Sequence, residues 1–495
     1  MKVEVMSSHR VHPEHKKASE ETAILPVIDS WYCYWRTLAA IYLFDAYSGP
    51  ELYTDLRQSL SKTLDDFPQL AGTLDNCNIQ VEDKSGRSVR RTRVTWGGNT
   101  LGGEFIEAKT NARVRSLLPP SIQNISSFAW DRSDRTLRPL FPATLPETSG
   151  IRVQVTSFKC GGFGIALDMD HALADAHTVG LFIGHWSAIH TRMFTSTTTF
   201  PSQISLPNVM FNPQFVEKKV HETDNTYGSK MVMLDRAREL PTRRPDLRDK
   251  SSQRTMQGNM FKPPPKPSAG VPYLLHFSAS EYERITRGIQ QATASPQITD
   301  QVAFVSFLWA ALNKARARCS VGQAVDLHLP TSFRWTLGLP EGLIGSPLVA
   351  VMMDGGPDGE VCYTDPVVLA TIITKTLERY TEDALLAIVY DASLRDSPAS
   401  MLRGFERRER MEFTSGVGFG SDKLSFGCHS PVFVGPIILP VDNLFIMAEG
   451  MRTSEAHSSK WYKHGANIFV SLPQDVFRAL LADPALINVE LLGDI

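Results

Sequence analysis

Apolar and polar positions alternate over Ile151–Phe158, as they do in a half-buried strand. Gly161 and Gly162 then turn the chain into a second apolar run, Phe163–Met169, and predict a hairpin. The period changes from two to 3.6 near Ala176, where Val179, Phe182, Ile183 and Trp186 fall on one helical stripe. Asp175 stands just before that helix, where a carboxylate accepts backbone N–H bonds and meets the positive end of the dipole. Upstream, the aromatic-rich run Tyr32–Phe44 predicts a buried strand. Glu51–Phe67 predicts a helix with Leu52, Leu56, Leu60 and Leu64 stacked on one face, ended by Pro68. Ser88–Trp96 reads as a further strand. Downstream, Ser278–Gln291 and Thr299–Arg318 have helical periods, the second with Val302, Val305, Leu308, Trp309 and Leu312 on one face. Short strands follow at Val432–Ile438, Leu444–Ala448 and Ala466–Leu472, then a helix over Gln474–Ala482. Strands and helices mix irregularly, which predicts an α/β class with mixed sheets rather than a regular βαβ array.

Between Phe194 and Tyr273 hydrophobic periodicity fades, and segments such as TSTTTFPS and KPPPKPSAG dominate. This reads as a long surface connection, so a boundary between two domains is expected there. The expected division is 1–195, a connection over 196–272, and 273–495. A chain of 495 residues fits two cores better than one. Met1–Glu21 is charged, carries His9, His12 and His15, and reads as a mobile polar tail without the apolar core of a signal peptide.

Composition removes several functions. Apolar residues at 42% and charged residues at 21% are ordinary globular usage, and a net charge of −2 gives nucleic-acid binding no electrostatic support. The six cysteines, Cys33, Cys77, Cys160, Cys319, Cys362 and Cys428, include no CxxC pair, which predicts reduced thiols and no zinc site. No run approaches the ~20 apolar residues needed to span a bilayer. The expectation is a cytoplasmic protein acting as a monomer.

The strand–turn–helix over 151–190 encloses His171 and Asp175, spaced HxxxD. With 13 histidines in the chain, about 0.8 such spacings arise by chance, so the spacing alone is weak. Context strengthens it: His171 falls on a short link held by rigid elements on both sides, with small neighbours that leave room for a ligand.

Val153–Trp186 resembles the signature region of the BAHD-type acyltransferases, within the chloramphenicol acetyltransferase-like superfamily. Four further segments resemble that family in order: PQLAGTL at Pro68–Leu74, SFLWAALNKARA at Ser306–Ala317, PTSFRWTLGLPEGLIGS at Pro330–Ser346 and LSFGCHSP at Leu424–Pro431. The resemblance implies two domains, each a mixed sheet with flanking helices, joined by a long crossover and enclosing a tunnel. It implies transfer of an acyl group, acetyl by default, from coenzyme A to the hydroxyl or amine of a small secondary metabolite, with no tightly bound cofactor and no metal. His171 matches the histidine that deprotonates the acceptor. Asp175 matches an aspartate that supports the architecture, and Arg334 matches its arginine partner. Thr414, eleven residues before Ser425, is the candidate for contact with the oxyanion or the acceptor, and a simple loop hydroxyl is the alternative. Phe426 and Gly427 match structural positions. Lys262 and Lys266 lie near the domain junction, but no motif fixes them as coenzyme A contacts.

The chain also departs from the family pattern. Ser425, Cys428 and His429 replace the Asp, Trp and second Gly of the family's DFGWG element, and Ser346 replaces the Asn of its Gly-Asn pair. These changes mark a divergent branch, which resembles the fungal secondary-metabolite O-acetyltransferases more than the plant hydroxycinnamoyl enzymes. His177 invites a dyad with His171, but a packing or solvent-facing role is expected; Trp186 and His185 are expected on the helix face and the core edge. Two rival functions remain. One is a carrier-protein-dependent condensation enzyme, against which Asp170 and Ala176 stand where HHxxxDG would require His and Gly. The other is a non-catalytic ligand-binding protein, whose only support is the degenerate C-terminal element.

Overall fold

The structure is a computed structural model that describes residues 1–30, 38–49, 51–80, 88–119, 127–131, 137–143, 149–194, 206–227, 230–240, 270–321, 324–353, 362–395, 410–427, 429–438, 441–450, 460–486 and 488–492. Two large mixed sheets organise it. The first runs in the order Glu4–Val11, Gly103–Thr110, Ile151–Phe158, Phe163–Met169, Leu38–Phe44, Phe433–Pro436. The second runs Leu348–Met353, Asp326–Ser332, Arg410–Gly416, Leu444–Glu449, Ala466–Leu472, Val271–Phe277, Ser127–Asp131, Val489–Leu492. A three-stranded sheet, Glu20–Ile24, Ser88–Gly97 and Thr73–Gln80, lies apart.

Each large sheet carries helices on one face. Leu56, Leu60, Phe182, Ile183 and Trp186 of helices Leu52–Thr63 and Ala176–Phe194 pack on Phe105, Val153, Val155, Ile165 and Leu167 of the first. Helix Asp300–Arg318 is buried almost all round against the second sheet and three neighbouring helices. The one-faced stripe read from its sequence therefore understates its burial. Thr299 caps it, accepting from Val302 N at 3.2 Å, and Ser278 caps helix Ala279–Thr293 through Glu281 N at 3.2 Å. The opposite faces of the two sheets meet on a third apolar cluster, with Ala39, Ile41, Leu43 and Ala166 from one and Phe128, Leu274, Ala448 and Phe469 from the other.

Each sheet borrows a strand from the far part of the chain. Ser127–Asp131 pairs with Val271–Phe277, and Phe433–Pro436 pairs with Leu38–Phe44. The expected N-terminal tail is instead ordered: Glu4–Val11 pairs with Gly103–Thr110 and Glu20–Ile24 with Ser88–Gly97. An edge strand gains its ladder from backbone bonds, so its side chains can stay polar and give no apolar signal. The Phe194–Tyr273 stretch also departs from a featureless connection. Helices Phe215–Tyr227 and Lys230–Glu239 pack on helix Glu382–Ser393, burying Val216, Val220, Met233 and Ala237.

Under the helix that follows His171, Trp186 Nε1 donates to Ser59 Oγ at 2.9 Å, and Ser59 Oγ bonds His190 Nδ1 at 3.0 Å. Burial pulls the His190 ring down to about 4, only partly opposed by Asp55. In the unfolded chain the same ring titrates near 6.5. Between those values the unfolded state binds the extra proton, so stability falls as pH falls. Thermal unfolding is expected to show a midpoint that drops from pH 6.5 toward 4, and His190→Asn should make that slope shallower.

Candidate active site

His171 sits on the turn between strand Phe163–Met169 and helix Ala176–Phe194, half-buried. Asp170 shapes this turn: its carboxylate accepts from Ala172 N at 3.0 Å and its carbonyl from Leu173 N and Ala174 N. Asp175 caps the helix, accepting from Thr178 N at 2.9 Å. Ala172, Leu173 and Ala174 are buried, so the turn has no freedom to swing.

The structure brings Asp175 and Arg334 together across 159 residues, both almost fully buried. Arg334 donates to both carboxylate oxygens, Nε to Oδ2 and Nη2 to Oδ1, each at 3.1 Å. Its Nη1 also donates to the Leu343 carbonyl and its Nη2 to the Gly345 carbonyl at 3.0 Å. That Gly345 carbonyl further accepts from Asp175 N at 3.1 Å and Thr178 Oγ1 at 3.0 Å. The pair thus fastens the start of the helix to the 343–346 loop.

On that loop, fully buried Ser346 faces His171. Its hydroxyl donates to the His171 carbonyl, and its Oγ lies 3.2 Å from His171 Nδ1. Burial holds the His171 ring below its ordinary pKa, while its own carbonyl, the Asp175 charge and the Ala174 carbonyl pull the other way. A second buried carboxyl, Asp29, takes a hydrogen bond from Ser346 N and is pushed up to about 8, mainly by burial. Gly345 adopts φ +140°, and a Cβ there would meet Asp29 Oδ2 at 2.5 Å, so only glycine fits.

Thr414 lies on strand Arg410–Gly416, not on a loop, half-buried beside Ile446 of the neighbouring strand. Its hydroxyl makes no hydrogen bond among the described residues. Helix Ala176–Phe194 packs against this strand. Beyond the strand, Glu449 accepts from the backbone N–H groups of Gly418, Gly420 and Ser421 at 3.0, 3.1 and 2.9 Å and pins the chain.

The other sequence candidates separate. His177 bonds the Glu341 carbonyl through Nε2 at 2.7 Å and lies edge-on to Phe419, a packing role. His185 bonds the Pro207 carbonyl, and Trp186 is buried under Phe426. Phe426 is fully buried among Phe44, Trp186 and His190, and Gly427 has φ +58° with Tyr47 against it. His429 is half-buried and bonds Ser48 at 2.8 Å. Lys262, Lys266 and Cys428 lie outside the described residues. Sequence reasoning named Ser346 only as a departure from the family pattern and passed over Thr178 and Asp29. Only Ser346 left a signal, as a hydroxyl where the resembling segment has Asn.

The Transferase family profile matches residues 1–483, so the chain belongs to that family, the acyl-CoA-dependent acyltransferases of BAHD type. Acyltransferase AFT15-1 of Alternaria alternata is 29% identical over 98% of this chain and 97% of its own length. Among solved structures, TRI101 of F. graminearum in complex with coenzyme A and T-2 mycotoxin superposes with a TM-score of 0.63 at 13% identity, covering 94% of this chain and 98% of that one. Vinorine synthase superposes with a TM-score of 0.57 at 15% identity, covering 97% and 96%. Among the described residues, no helix is long and apolar enough to cross a membrane.

Breaking the Asp175–Arg334 pair leaves one buried charge uncompensated. Asp175→Ala and Arg334→Met are each expected to lose about 3–5 kcal/mol in chemical denaturation. The double variant should lose clearly less than the sum of the two.

Proposed function

We propose that the chain transfers an acyl group, acetyl by default, from coenzyme A to a hydroxyl or amine of a small secondary metabolite, with His171 as general base. The observation that carries this reading is the His171 ring, held by its Nδ1 side on a turn fixed between strand Phe163–Met169, helix Ala176–Phe194 and the 343–346 loop. Acceptance of the acceptor's O–H proton by the other ring nitrogen frees the oxygen to attack the thioester carbonyl. The C–S bond then breaks, and the coenzyme A sulfur takes the proton back. A thioester is already activated, so neither a metal nor a covalent enzyme intermediate is required. A positioned base is worth ~10²–10⁴ in rate, and holding both substrates together adds to it. Thr414, with an unengaged hydroxyl on the adjoining strand, donates to the tetrahedral intermediate's oxygen. Segments 1–195 and 273–495 form the two domains of this reading, with 196–272 as crossover. The coenzyme A and small-metabolite complex of the TRI101 neighbour supports the choice of substrates.

Thiol release from acetyl-CoA with a panel of alcohols tests the reading. His171→Ala should keep its circular dichroism and unfolding midpoint yet lose about 10²–10⁴ in turnover. Wild-type turnover in a well-folded His171→Ala protein would sink the base assignment. Since burial lowers the His171 pKa, the neutral base persists at mildly acidic pH. The acid limb of kcat/KM should therefore fall with an apparent pKa under the ordinary 6.5. Thr414→Val should cost about 10²–10³ in kcat if the hydroxyl serves the oxyanion, whereas a change confined to the acceptor KM would place it on the acceptor instead.

A further inference from the structure

We propose that Ser346 is a positioning residue that fixes the tautomer of His171, so that Nε2 carries the lone pair offered to the acceptor. This rests on the reading of His171 as the base. A serine hydroxyl has one proton and can accept elsewhere. The Ser346 proton is committed to the His171 carbonyl, the closer of its two partners at this turn. The 3.2 Å contact between Ser346 Oγ and His171 Nδ1 is then a hydrogen bond only with the proton on Nδ1. A neutral ring with Nδ1–H has its lone pair on Nε2. The opposite tautomer carries its proton on Nε2 and its lone pair on Nδ1, facing Ser346, so Nε2 could not take the acceptor's proton.

Ser346 is itself immobilised. Its backbone N–H is held by the Asp29 carboxyl, and the preceding Gly345 carbonyl by Arg334, Thr178 and Asp175 N. It is fully buried, so no water competes for its hydroxyl. When the ring takes the acceptor's proton, the Nδ1–H bond to Oγ is already made, and it strengthens as the ring becomes charged. The same serine therefore selects the reactive nitrogen before the step and stabilises the imidazolium during it, with no change in geometry.

The test has two arms. In the unmodified protein with ¹⁵N-histidine, assigned by comparison with His171→Gln, the ring nitrogens of His171 are read at a pH where it is neutral. Nδ1 is expected in the protonated range and Nε2 in the unprotonated range. The reverse assignment overturns the proposal whether or not Ser346→Ala folds. In the second arm, Ser346→Ala is expected to lower kcat about 10–100-fold, the worth of one buried hydrogen bond to a group that becomes charged, with both KM values held within about twofold. Ser346→Asn should recover most of the loss, because its amide accepts from Nδ1 and donates to the carbonyl. An unchanged kcat in a folded Ser346→Ala protein also overturns the proposal. Retained turnover in His171→Ala would instead defeat the base reading, and the labelled ring would still decide whether Ser346 sets the tautomer.

Discussion

The Asp175–Arg334 pair carries more of this molecule than its two charges suggest. Arg334 spends its donors on one carboxylate and two carbonyls, and each acceptor lies on an element the site needs fixed. Through Asp175 it holds the first turn of the helix after His171, and through Leu343 and Gly345 it holds the loop that presents Ser346. A buried ion pair gains little net stability when desolvation is counted, and its protein context must satisfy it almost completely. That requirement is what converts electrostatics into geometry here. The guanidinium cannot be satisfied unless the turn and the loop stand at one separation.

How much of this was readable before the fold was known depends on the range of each interaction. The hairpin 151–169 and the capped helix at Ala176 are local, and their periods and turn residues declare them. The edge strand Glu4–Val11 is not local in this sense: its order comes from backbone bonds to Gly103–Thr110, and its one histidine and two serines carry no period. Helices Phe215–Tyr227 and Lys230–Glu239 were hidden for another reason. Their buried positions are few, and the threonine- and proline-rich flanks dilute them. Strands Ser127–Asp131 and Phe433–Pro436 look like other short strands, and nothing in either segment announces that it crosses to the far sheet. In the site, the residue types of His171 and Asp175 were visible. The tie between Ser346 and His171 depends on two loops meeting 175 residues apart, which no spacing encodes.

The altered C-terminal element shows how a loop can keep its place after losing a charged anchor. Ser425 stands where the family has Asp, and its Oγ is buried without a partner among the described residues. Its backbone is held instead by the helix that starts at the site. Ser187 accepts from Ser425 N at 2.7 Å and donates to its carbonyl at 3.0 Å, and Thr191 donates to the same carbonyl at 3.2 Å. Phe426 then fills the space between Phe44, Trp186 and His190. Two hydroxyls on a rigid helix and one buried ring do the work of a carboxylate, and they avoid the desolvation cost of another buried ion.

That economy of charge extends to the His171 turn. Asp29 and Asp175 both lie near one guanidinium, and a single cation cannot balance two buried carboxylates. The bidentate contact goes to Asp175, while Asp29, buried without such a contact, is pushed up to about 8 and holds its proton at neutral pH. The neutral Asp29 still receives Ser346 N–H, so its positional function survives the loss of its charge. An ionised Asp29 would add a second negative charge beside the turn and favour the imidazolium of His171. With Asp29 protonated, burial is the main influence on the His171 ring and holds it below its ordinary pKa.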